Sequence, residues 1–311
     1  MADLIHRNTR GVFVIVATPF SEDGALDFDS ADRLVDYYLE TGVDGLTVLG
    51  VMGEAPKLTS EESAEFAARI LRRVDGRVPV IVGVTGAGID NMARLTGSVM
   101  EAGAAGVMVA PMPGLNTEAK LKGYFAQVFE ALGPHVPVCI QDYPMTVGVF
   151  FSVETVIELA VKHPQFVMFK HEDWPGLTKL SRVRNETGVG DVPRLSILTG
   201  NAGLFLPLEL QRGADGAMTG FAYPEMMVNV IKLHRAGEVD RAEDLFDAYL
   251  PMVRYEQQLG VGLAIRKEIL KRRGILTSAK ARAPGPKLTE TDEAELTRLM
   301  TRLDAKLAEL D

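Results

Sequence analysis

ETGVDGLTVLG (residues 40–50) recurs in form as EAGAAGVMVAP (101–111) and QRGADGAMTG (211–220). In each segment a polar stretch that fits the end of a helix is followed by glycine, the residue that most often ends a helix. A second glycine then opens a short apolar run, which is typical of a buried strand. The three copies predict a repeating unit of helix, tight turn and strand.

Short apolar runs of this kind recur along the first two thirds of the chain. They predict strands within residues 11–20, 45–50, 78–85, 106–111, 137–143, 166–172, 195–200 and 216–220. The runs are continuously apolar, which indicates parallel strands buried on both faces, and amphipathic helical segments separate them. Eight such units in about 220 residues predict an α/β fold, a (β/α)8 TIM barrel. A doubly wound open sheet is the alternative, but no G-x-G-x-x-G motif follows the first strand.

The strand pattern stops after Phe221, and the rest of the chain has helical periodicity. Helices are predicted around residues 225–236, 238–258, 260–273 and 288–309. We therefore expect a barrel domain over residues 1–223 and a C-terminal helical appendage over residues 224–311, packed on the barrel. Such a segment could also serve subunit contacts.

Composition limits the functional classes. The chain has 311 residues, of which 47% are hydrophobic and 24% charged, as in an ordinary soluble globular protein. A net charge of −9 argues against a general nucleic-acid or anionic-membrane binder. No apolar run reaches the roughly 18–20 residues that cross a bilayer, and a single cysteine, Cys139, cannot form an internal disulfide. The default expectation is a cytoplasmic protein.

Lys170 is the main catalytic candidate, because barrel enzymes carry their catalytic groups at the carboxyl ends of the strands. A lysine that closes an apolar strand is partly desolvated, which disfavours the charged ammonium form and favours the nucleophilic amine of a Schiff-base enzyme. Side chains two apart on a strand share a face, so Glu172 lies beside Lys170 as a candidate acid/base, while His171 faces the helices. The alternative is a purely structural Lys170–Glu172 ion pair.

The turn after the second strand is the next candidate. Gly50 and Gly53 bracket this turn, and glycines there allow successive backbone N–H groups to face an anion such as a carboxylate. An ordinary turn between strand and helix is the alternative interpretation.

Other polar residues point less clearly to chemistry. The five histidines are scattered without the spacing of metal ligands, so we predict no metal and no cofactor. Cys139 lies within an apolar strand and fits the core better than a nucleophile. A basic cluster late in the chain fits a solvated helix face, although a helix that caps the barrel could direct one of these charges inward: Arg266, Lys267, Lys271, Arg272 and Arg273.

At these positions the chain resembles the dihydrodipicolinate synthase / N-acetylneuraminate lyase family of class I Schiff-base aldolases and lyases. The resemblance covers nearly the whole length and is carried by VATPF (16–20), the G-x-x-G-E turn (50–54), Lys170, TGN (199–201) and GADGAMTG (213–220). It implies that Lys170 forms the Schiff base and that the turn at 50–53 holds the carboxylate of a 2-keto acid. It also implies a homo-oligomer, a tetramer or a dimer.

Three departures separate the chain from the synthase and sialate lyase branches of that family. Val51 and Met52 stand where the family usually has hydroxyl residues, Gln141 stands where these branches have a tyrosine, and a further tyrosine is replaced within Met112-Pro113. The segments Gln141-Asp142-x-Pro144 and Lys170-x-Glu172, with the C-terminal helices, are more similar to the 2-keto-3-deoxy sugar acid dehydratase branch. In that branch the glutamate is the acid/base.

The sequence therefore predicts a Schiff-base lyase acting on a 2-keto acid, a dehydratase more than an aldolase. Two alternatives stay open: a dihydrodipicolinate synthase-type condensation of pyruvate with an aldehyde, and a non-catalytic binding protein for a keto acid or sugar acid. The predicted catalytic residues are Lys170 and Glu172. The predicted substrate-binding residues are Gly50, Val51, Met52, Gly53, Gln141, Thr199, Asn201 and Thr219.

Overall fold

Eight parallel strands close into a barrel in the order β1 to β8. The structure, a computed structural model, describes residues 3–86 and 88–310. The strands are β1 Gly11–Ile15, β2 Gly45–Val48, β3 Val80–Gly83, β4 Gly106–Val109, β5 Val138–Asp142, β6 Phe166–His171, β7 Ser196–Thr199 and β8 Gly216–Thr219. Each lies inside one of the predicted runs, so the (β/α)8 barrel is confirmed, and closure of the sheet excludes the doubly wound alternative.

Helices connect the strands and continue after the last one. They are α1 Phe28–Glu40, α2 Ser60–Val74, α3 Ile89–Glu101, α4 Glu118–Leu132, α5 Pro144–Val147, α6 Val153–Lys162, α7 Leu177–Glu186, α8 Leu206–Gln211, α9 Pro224–Arg235, α10 Val239–Glu256, α11 Gly262–Arg272 and α12 Glu290–Leu307. The start of α2 shows how local sequence sets a boundary. Thr59 accepts from the Glu62 N–H while the Glu62 carboxylate accepts from the Thr59 N–H, which satisfies two free donors of the helix.

The two glycines of the repeated segment serve different purposes. Gly42 follows α1 with a φ of +77°, a left-handed conformation that ends a helix at little cost for glycine. Gly45 begins β2, where a Cβ atom would lie 2.3 Å from the Phe13 ring, so a larger residue would separate β1 from β2. The same pairing of helix stop and close approach recurs at the other two copies.

The inside of the barrel is apolar at the bottom and polar at the carboxyl ends of the strands. Its buried apolar cluster includes Phe13, Ile81, Met108, Cys139, Met168 and Leu198. Burial raises the pKa of the Cys139 thiol to about 12, as expected for a core cysteine. Because side chains alternate along a strand, Met168 is followed on the same face by Lys170. The lysine therefore stands directly above the apolar layers.

The helices after β8 pack in two ways. Helix α9 contacts β1 and α8 and so takes the place of the eighth helix in the outer ring, while α10 packs against α9, α11 and α12. The division of domains at residues 223 and 224 stays a prediction, and the packing of α9 favours counting that helix with the barrel. Within residues 3–86 and 88–310, no helix is long and apolar enough to cross a membrane.

Candidate active site

Lys170 and Glu172 form a buried ion pair at the carboxyl end of the barrel. The Lys170 Nζ lies 2.9 Å from Glu172 Oε2, and the two residues are 3% and 5% exposed. The Gln141 side chain donates from Nε2 to the same carboxylate oxygen over 2.6 Å. Glu172 Oε2 is therefore shared between a cation and a neutral amide donor, which fixes the carboxylate beside the amine.

Strand register brings this group together. Lys170 on β6 lies opposite Gln141 on β5 and Leu198 on β7, so the lysine and the glutamine are neighbours across the sheet. The backbone after β7 leaves room for the carboxylate because residue 200 is glycine. A Cβ at Gly200 would lie 2.2 Å from Glu172 Cγ. The glycine of the TGN segment thus has a steric reason that its sequence context alone did not reveal.

A small cavity opens beside the Lys170 amine. Its volume is about 50 Å³, room for a few water molecules or a compact ligand. Seven of the predicted residues line it, namely Val51, Met52, Gln141, Lys170, Glu172, Asn201 and Thr219. Amine, carboxylate and cavity therefore occur together, which a purely structural ion pair does not require.

The predicted anion-binding turn is a single 310 turn, Val51–Gly53. The N–H groups of Gly53 and Glu54 donate back to the carbonyls of Gly50 and Val51. Those of Val51 and Met52 are the first of the turn, and such N–H groups have no partner within a helix. Gly50 and Gly53 do not line the cavity; Gly53 instead holds the turn, since its carbonyl accepts from the Thr18 hydroxyl over 2.5 Å.

Thr199 is misplaced in the predicted binding set. Alternation along β7 puts Leu198 inside the barrel and turns Thr199 toward the helices. The Thr199 hydroxyl lies 3.4 Å from the Gly216 carbonyl, and Thr199 does not line the cavity. Asn201 returns to the cavity because its backbone is left-handed, with a φ of 53°. The predicted substrate contact by Thr199 is therefore wrong, because its side chain lies behind the strand, on the side of the helices.

The whole chain is similar to proteins of one family. A family model described as the dihydrodipicolinate synthetase family matches residues 8–303. The chain belongs to this family. The L-2-keto-3-deoxyarabonate dehydratase of Azospirillum brasilense is 31% identical over 299 residues, 95% of this chain and 94% of the relative. The putative 2-dehydro-3-deoxy-D-gluconate aldolase YagE of Escherichia coli K12 is 30% identical, over 94% of this chain and 96% of the relative.

Solved structures support the same assignment. A crystal structure of dihydrodipicolinate synthase from Rhodopseudomonas palustris matches with a TM-score of 0.94 and 47% identity, covering 97% of this chain and 100% of that chain. The YagE structure matches with a TM-score of 0.85 and 29% identity, covering 95% and 98%. The predicted family resemblance is confirmed, and with it the prediction of a class I lyase that acts on a 2-keto acid.

Six further residues of this member of the dihydrodipicolinate synthetase family line the cavity outside the predicted binding set. They are Ile15, Tyr143, Ala202, Gly220, Gln257 and Arg266. Tyr143 follows β5, and the sequence could have identified it as the only aromatic residue at that strand end. Burial raises the pKa of the Tyr143 phenol. Gln257 and Arg266 come from the C-terminal segment. For Arg266 the sequence allowed that a helix capping the barrel could direct one charge inward, whereas nothing in it pointed to Gln257.

The interpretation of the late basic cluster as a solvated face is wrong for Arg266 and Lys267, and the alternative that a capping helix directs a charge inward describes Arg266. Arg266 and Lys267 are 1% and 0% exposed, respectively. Arg266 bonds to Glu256 and Lys267 to Glu54, both buried carboxylates. Arg266 borders the cavity and Lys267 lies against the segment that carries Lys280, and a buried charge needs a partner inside the protein.

His171 faces the opposite side of β6 from the cavity, as predicted. Its Nε2 lies 2.9 Å from the Gly176 carbonyl, and its Nδ1 lies 3.6 Å from Asp142 Oδ2. Asp142 in turn binds the Lys179 ammonium over 2.6 Å. These groups anchor α7 to the carboxyl ends of β5 and β6, and so they hold in place the strands that carry Gln141 and Lys170.

Proposed function

We propose that this chain dehydrates a 2-keto-3-deoxy sugar acid through a Schiff base on Lys170. The observation that carries the proposal is the buried Lys170–Glu172 pair, 2.9 Å apart, at the wall of a cavity. The chain's likeness to L-2-keto-3-deoxyarabonate dehydratase over nearly its whole length supports a dehydratase.

Imine formation needs a neutral amine and a proton donor. Glu172 is close enough to take the proton of the Lys170 ammonium, which frees the nitrogen lone pair to attack the C2 carbonyl of the substrate. Glu172 then returns the proton to the carbinolamine oxygen, which leaves as water. The products of this step are an iminium on Lys170 and a carboxylate at Glu172.

Elimination follows from the iminium. Its positive nitrogen draws electrons from C3, Glu172 removes a C3 proton, and the electron pair of the enamine expels the C4 hydroxyl, which leaves as water with that proton. A second water hydrolyses the unsaturated iminium and frees Lys170. Gln141 holds Glu172 Oε2 but its amide cannot relay protons, so all of these proton transfers are assigned to Glu172.

The rest of the cavity supplies contacts for the substrate. We assign the N–H groups of Val51 and Met52 to the substrate carboxylate, and Asn201 and Thr219 to its polar chain. Assembly as a homotetramer or a dimer is carried over as a prediction from the family, and so is a small 2-keto acid as the substrate, with neither nucleic acid nor membrane as a partner.

Dihydrodipicolinate synthase activity is the second candidate, because the 47% identical structure from Rhodopseudomonas palustris carries that name. The glutamine at position 141 opposes it, since this amide cannot serve as the tyrosine of a proton relay. Assay with pyruvate and aspartate semialdehyde separates the two activities. A non-catalytic keto-acid binding protein would bind the ligand in calorimetry with neither imine nor turnover.

Borohydride trapping tests the proposal directly. The protein is incubated with pyruvate or with a 2-keto-3-deoxy sugar acid, reduced, digested and analysed by mass spectrometry. We expect the reduced adduct on the peptide that contains Lys170, and loss of water from the sugar acid in the unreduced reaction. A folded protein that gives no adduct with either compound contradicts the proposal.

A further inference from the structure

Arg266 is a buried cation with an unused donor. The residue is 1% exposed, and its Nε donates to Glu256 Oε1 over 2.7 Å. Its Nη1 has no hydrogen-bond partner in the part of the chain that the structure describes, residues 3–86 and 88–310. Leaving a buried charged donor without an acceptor is costly, so native structures seldom keep one without a function.

The guanidinium group of Arg266 faces the cavity that contains Lys170. It lies against Gly220, at the end of β8, where a Cβ atom would be 1.8 Å from both Nη1 and Nη2. Gly220 and Arg266 both line the cavity. The absence of a side chain at residue 220 is therefore what lets a residue of the C-terminal helices reach the barrel mouth.

Glu256 is held on the other edge of the guanidinium. One of its oxygens accepts from Arg266 Nε, and the other accepts from the Ala222 N–H over 3.0 Å. Both oxygens are thus engaged by the protein, and within residues 3–86 and 88–310 the Nη1–Nη2 edge of the guanidinium forms no hydrogen bond. A carboxylate is the acceptor that matches a guanidinium edge best, through short charge-assisted hydrogen bonds.

The neighbouring turn explains why such a cation is needed. Val51 and Met52 offer only backbone N–H groups, because their side chains are apolar. Strand β1 pairs with both β8 and β2, so the end of β8 and the turn after β2 lie on the same side of the barrel mouth. A carboxylate placed there can meet the turn and Arg266 together, with its keto group toward Lys170 on β6.

We propose that Arg266 binds the carboxylate of the 2-keto acid and supplies the charge that the turn at Val51–Gly53 lacks. The inference rests on the proposed function only in taking a 2-keto acid as the ligand. It makes Arg266 a specificity-determining residue, one that selects acids over neutral ketones.

The test compares pyruvate with methyl pyruvate, which keeps the ketone and removes the negative charge. Binding is measured by calorimetry, and imine formation by borohydride trapping, for the unsubstituted protein, Arg266→Gln and Arg266→Lys. Arg273→Lys is the matched control, because Arg273 caps the same helix and pairs with Glu225, away from the cavity. Thermal unfolding of each variant shows whether it is folded.

We expect Arg266→Gln to weaken pyruvate binding about tenfold or more, the usual effect of losing a hydrogen bond between charged groups. The affinity for methyl pyruvate should change less than about twofold. The pyruvate affinity of Arg266→Lys should lie between those of the unsubstituted protein and Arg266→Gln, because lysine keeps the charge without the planar fork. Arg273→Lys should leave the pyruvate-to-ester ratio unchanged.

The role of Arg266 would be overturned if Arg266→Gln weakened the binding of pyruvate and of methyl pyruvate equally, or weakened the binding of neither. If Arg266→Gln does not fold, the question is decided by the ratio of pyruvate affinity to methyl pyruvate affinity in the Arg266→Lys protein. Arg266-dependent binding of pyruvate without any adduct would instead refute only the Schiff-base function. The two proposals therefore fail in different measurements.

Discussion

The protein contains two buried lysine–glutamate pairs that look alike at first. Lys170 lies 2.9 Å from Glu172, and Lys267 lies 2.5 Å from Glu54. All four residues are at most 5% exposed. Distance and burial alone therefore do not separate a catalytic lysine from a structural one.

The surroundings of the two pairs differ. Lys267 also donates to the Lys280 carbonyl over 2.8 Å and lies 4.5 Å from the centre of the Phe20 ring. The second oxygen of Glu54 accepts from Lys57 and from the Arg282 N–H. Burial lowers the pKa of Lys267, and the attraction of Glu54 opposes that shift. This pair ties α11 to the turn after β2, whereas the Lys170 pair borders empty space.

The comparison teaches that free space beside the amine is the distinguishing property. A nucleophile needs room for a carbonyl carbon at bonding distance, and the Lys170 pair has such room. The Lys267 pair is surrounded by protein partners, which makes it suited to stability. Each of the following substitutions tests one side of this contrast.

Replacing Lys170 should have the largest effect. We expect Lys170→Met to abolish the borohydride adduct and to reduce turnover to the level of the uncatalysed reaction, because among residues 3–86 and 88–310 no other lysine lines that cavity. The protein should still fold, since Glu172 keeps its bond from Gln141 and borders the cavity. Mass spectrometry of the trapped protein and a turnover assay check this.

The control for this substitution is Lys179→Met. Lys179 is also paired with carboxylates, Asp142 and Asp173, but on the helix side of β6. Its loss should leave the adduct on Lys170 intact. A normal adduct in Lys170→Met would show that the nucleophile is elsewhere.

Replacing Glu172 should remove proton transfer while sparing the nucleophile. We expect Glu172→Gln to lower turnover about 10²–10⁴-fold, the usual contribution of a positioned acid/base. The adduct should still form, more slowly, because the amine and the cavity remain. Rates of trapping and of turnover, measured on the same protein, give the two values.

Asp173→Asn is the matched control, since Asp173 is the adjacent carboxylate but binds Lys179 rather than Lys170. Its turnover should stay close to that of the unsubstituted protein. If Glu172→Gln keeps full turnover, the acid/base has to be assigned to another group, with Tyr143 as the next residue to substitute.

Replacing Lys267 should reverse the pattern. We expect Lys267→Met to lower the free energy of unfolding by about 3–5 kcal/mol, because it leaves the buried Glu54 without its fully buried partner. The folded fraction should still form the Lys170 adduct. Lys57→Met removes the partly exposed partner of the same carboxylate and should cost about 1 kcal/mol or less. Urea unfolding measures both, and equal losses would contradict the contrast.

How far the sequence could predict these features depends on the kind of pattern each one leaves. The strands were predictable because continuous apolar runs and repeated glycines reflect burial on both faces. Lys170 was predictable because a lone cation in such a run has few ordinary explanations. For the late basic cluster the sequence allowed one charge to point inward but could not say which, since the periodicity of α11 gives the spacing of its charges and not the segments that cover Arg266 and Lys267.

Thr199 shows a different limit. Its place in the TGN segment suggested a substrate contact, yet the strand alternates, and it is the left-handed residues Asn201 and Ala202 that return to the cavity. The direction of a side chain after a strand ends depends on backbone angles that single residue types do not fix.

Glu209 extends the comparison to a buried carboxylate without a lysine. The residue is 5% exposed, and it forms no ion pair within residues 3–86 and 88–310. Burial raises the pKa of its carboxyl from 4.5 to about 7, and the Thr199 hydrogen bond opposes that shift. The folded protein therefore holds a proton on Glu209 that the unfolded chain releases at lower pH.

The sign of the resulting pH dependence follows from this. Because the folded pKa is raised, the stability linked to protonation is fully present below about pH 4.5 and is lost as the pH rises through about 7. Across this pH range the ionisation of Glu209 lowers the free energy of unfolding by about 3 kcal/mol. Glu209→Gln should remove that slope from urea unfolding measured between pH 5 and 8, while Glu243→Gln, at the protein surface, should keep it. If the pH dependence of the free energy of unfolding is the same in Glu209→Gln, the buried Glu209 carboxylate is ionised in the folded protein. A buried glutamate in this barrel could then stay charged without a lysine beside it.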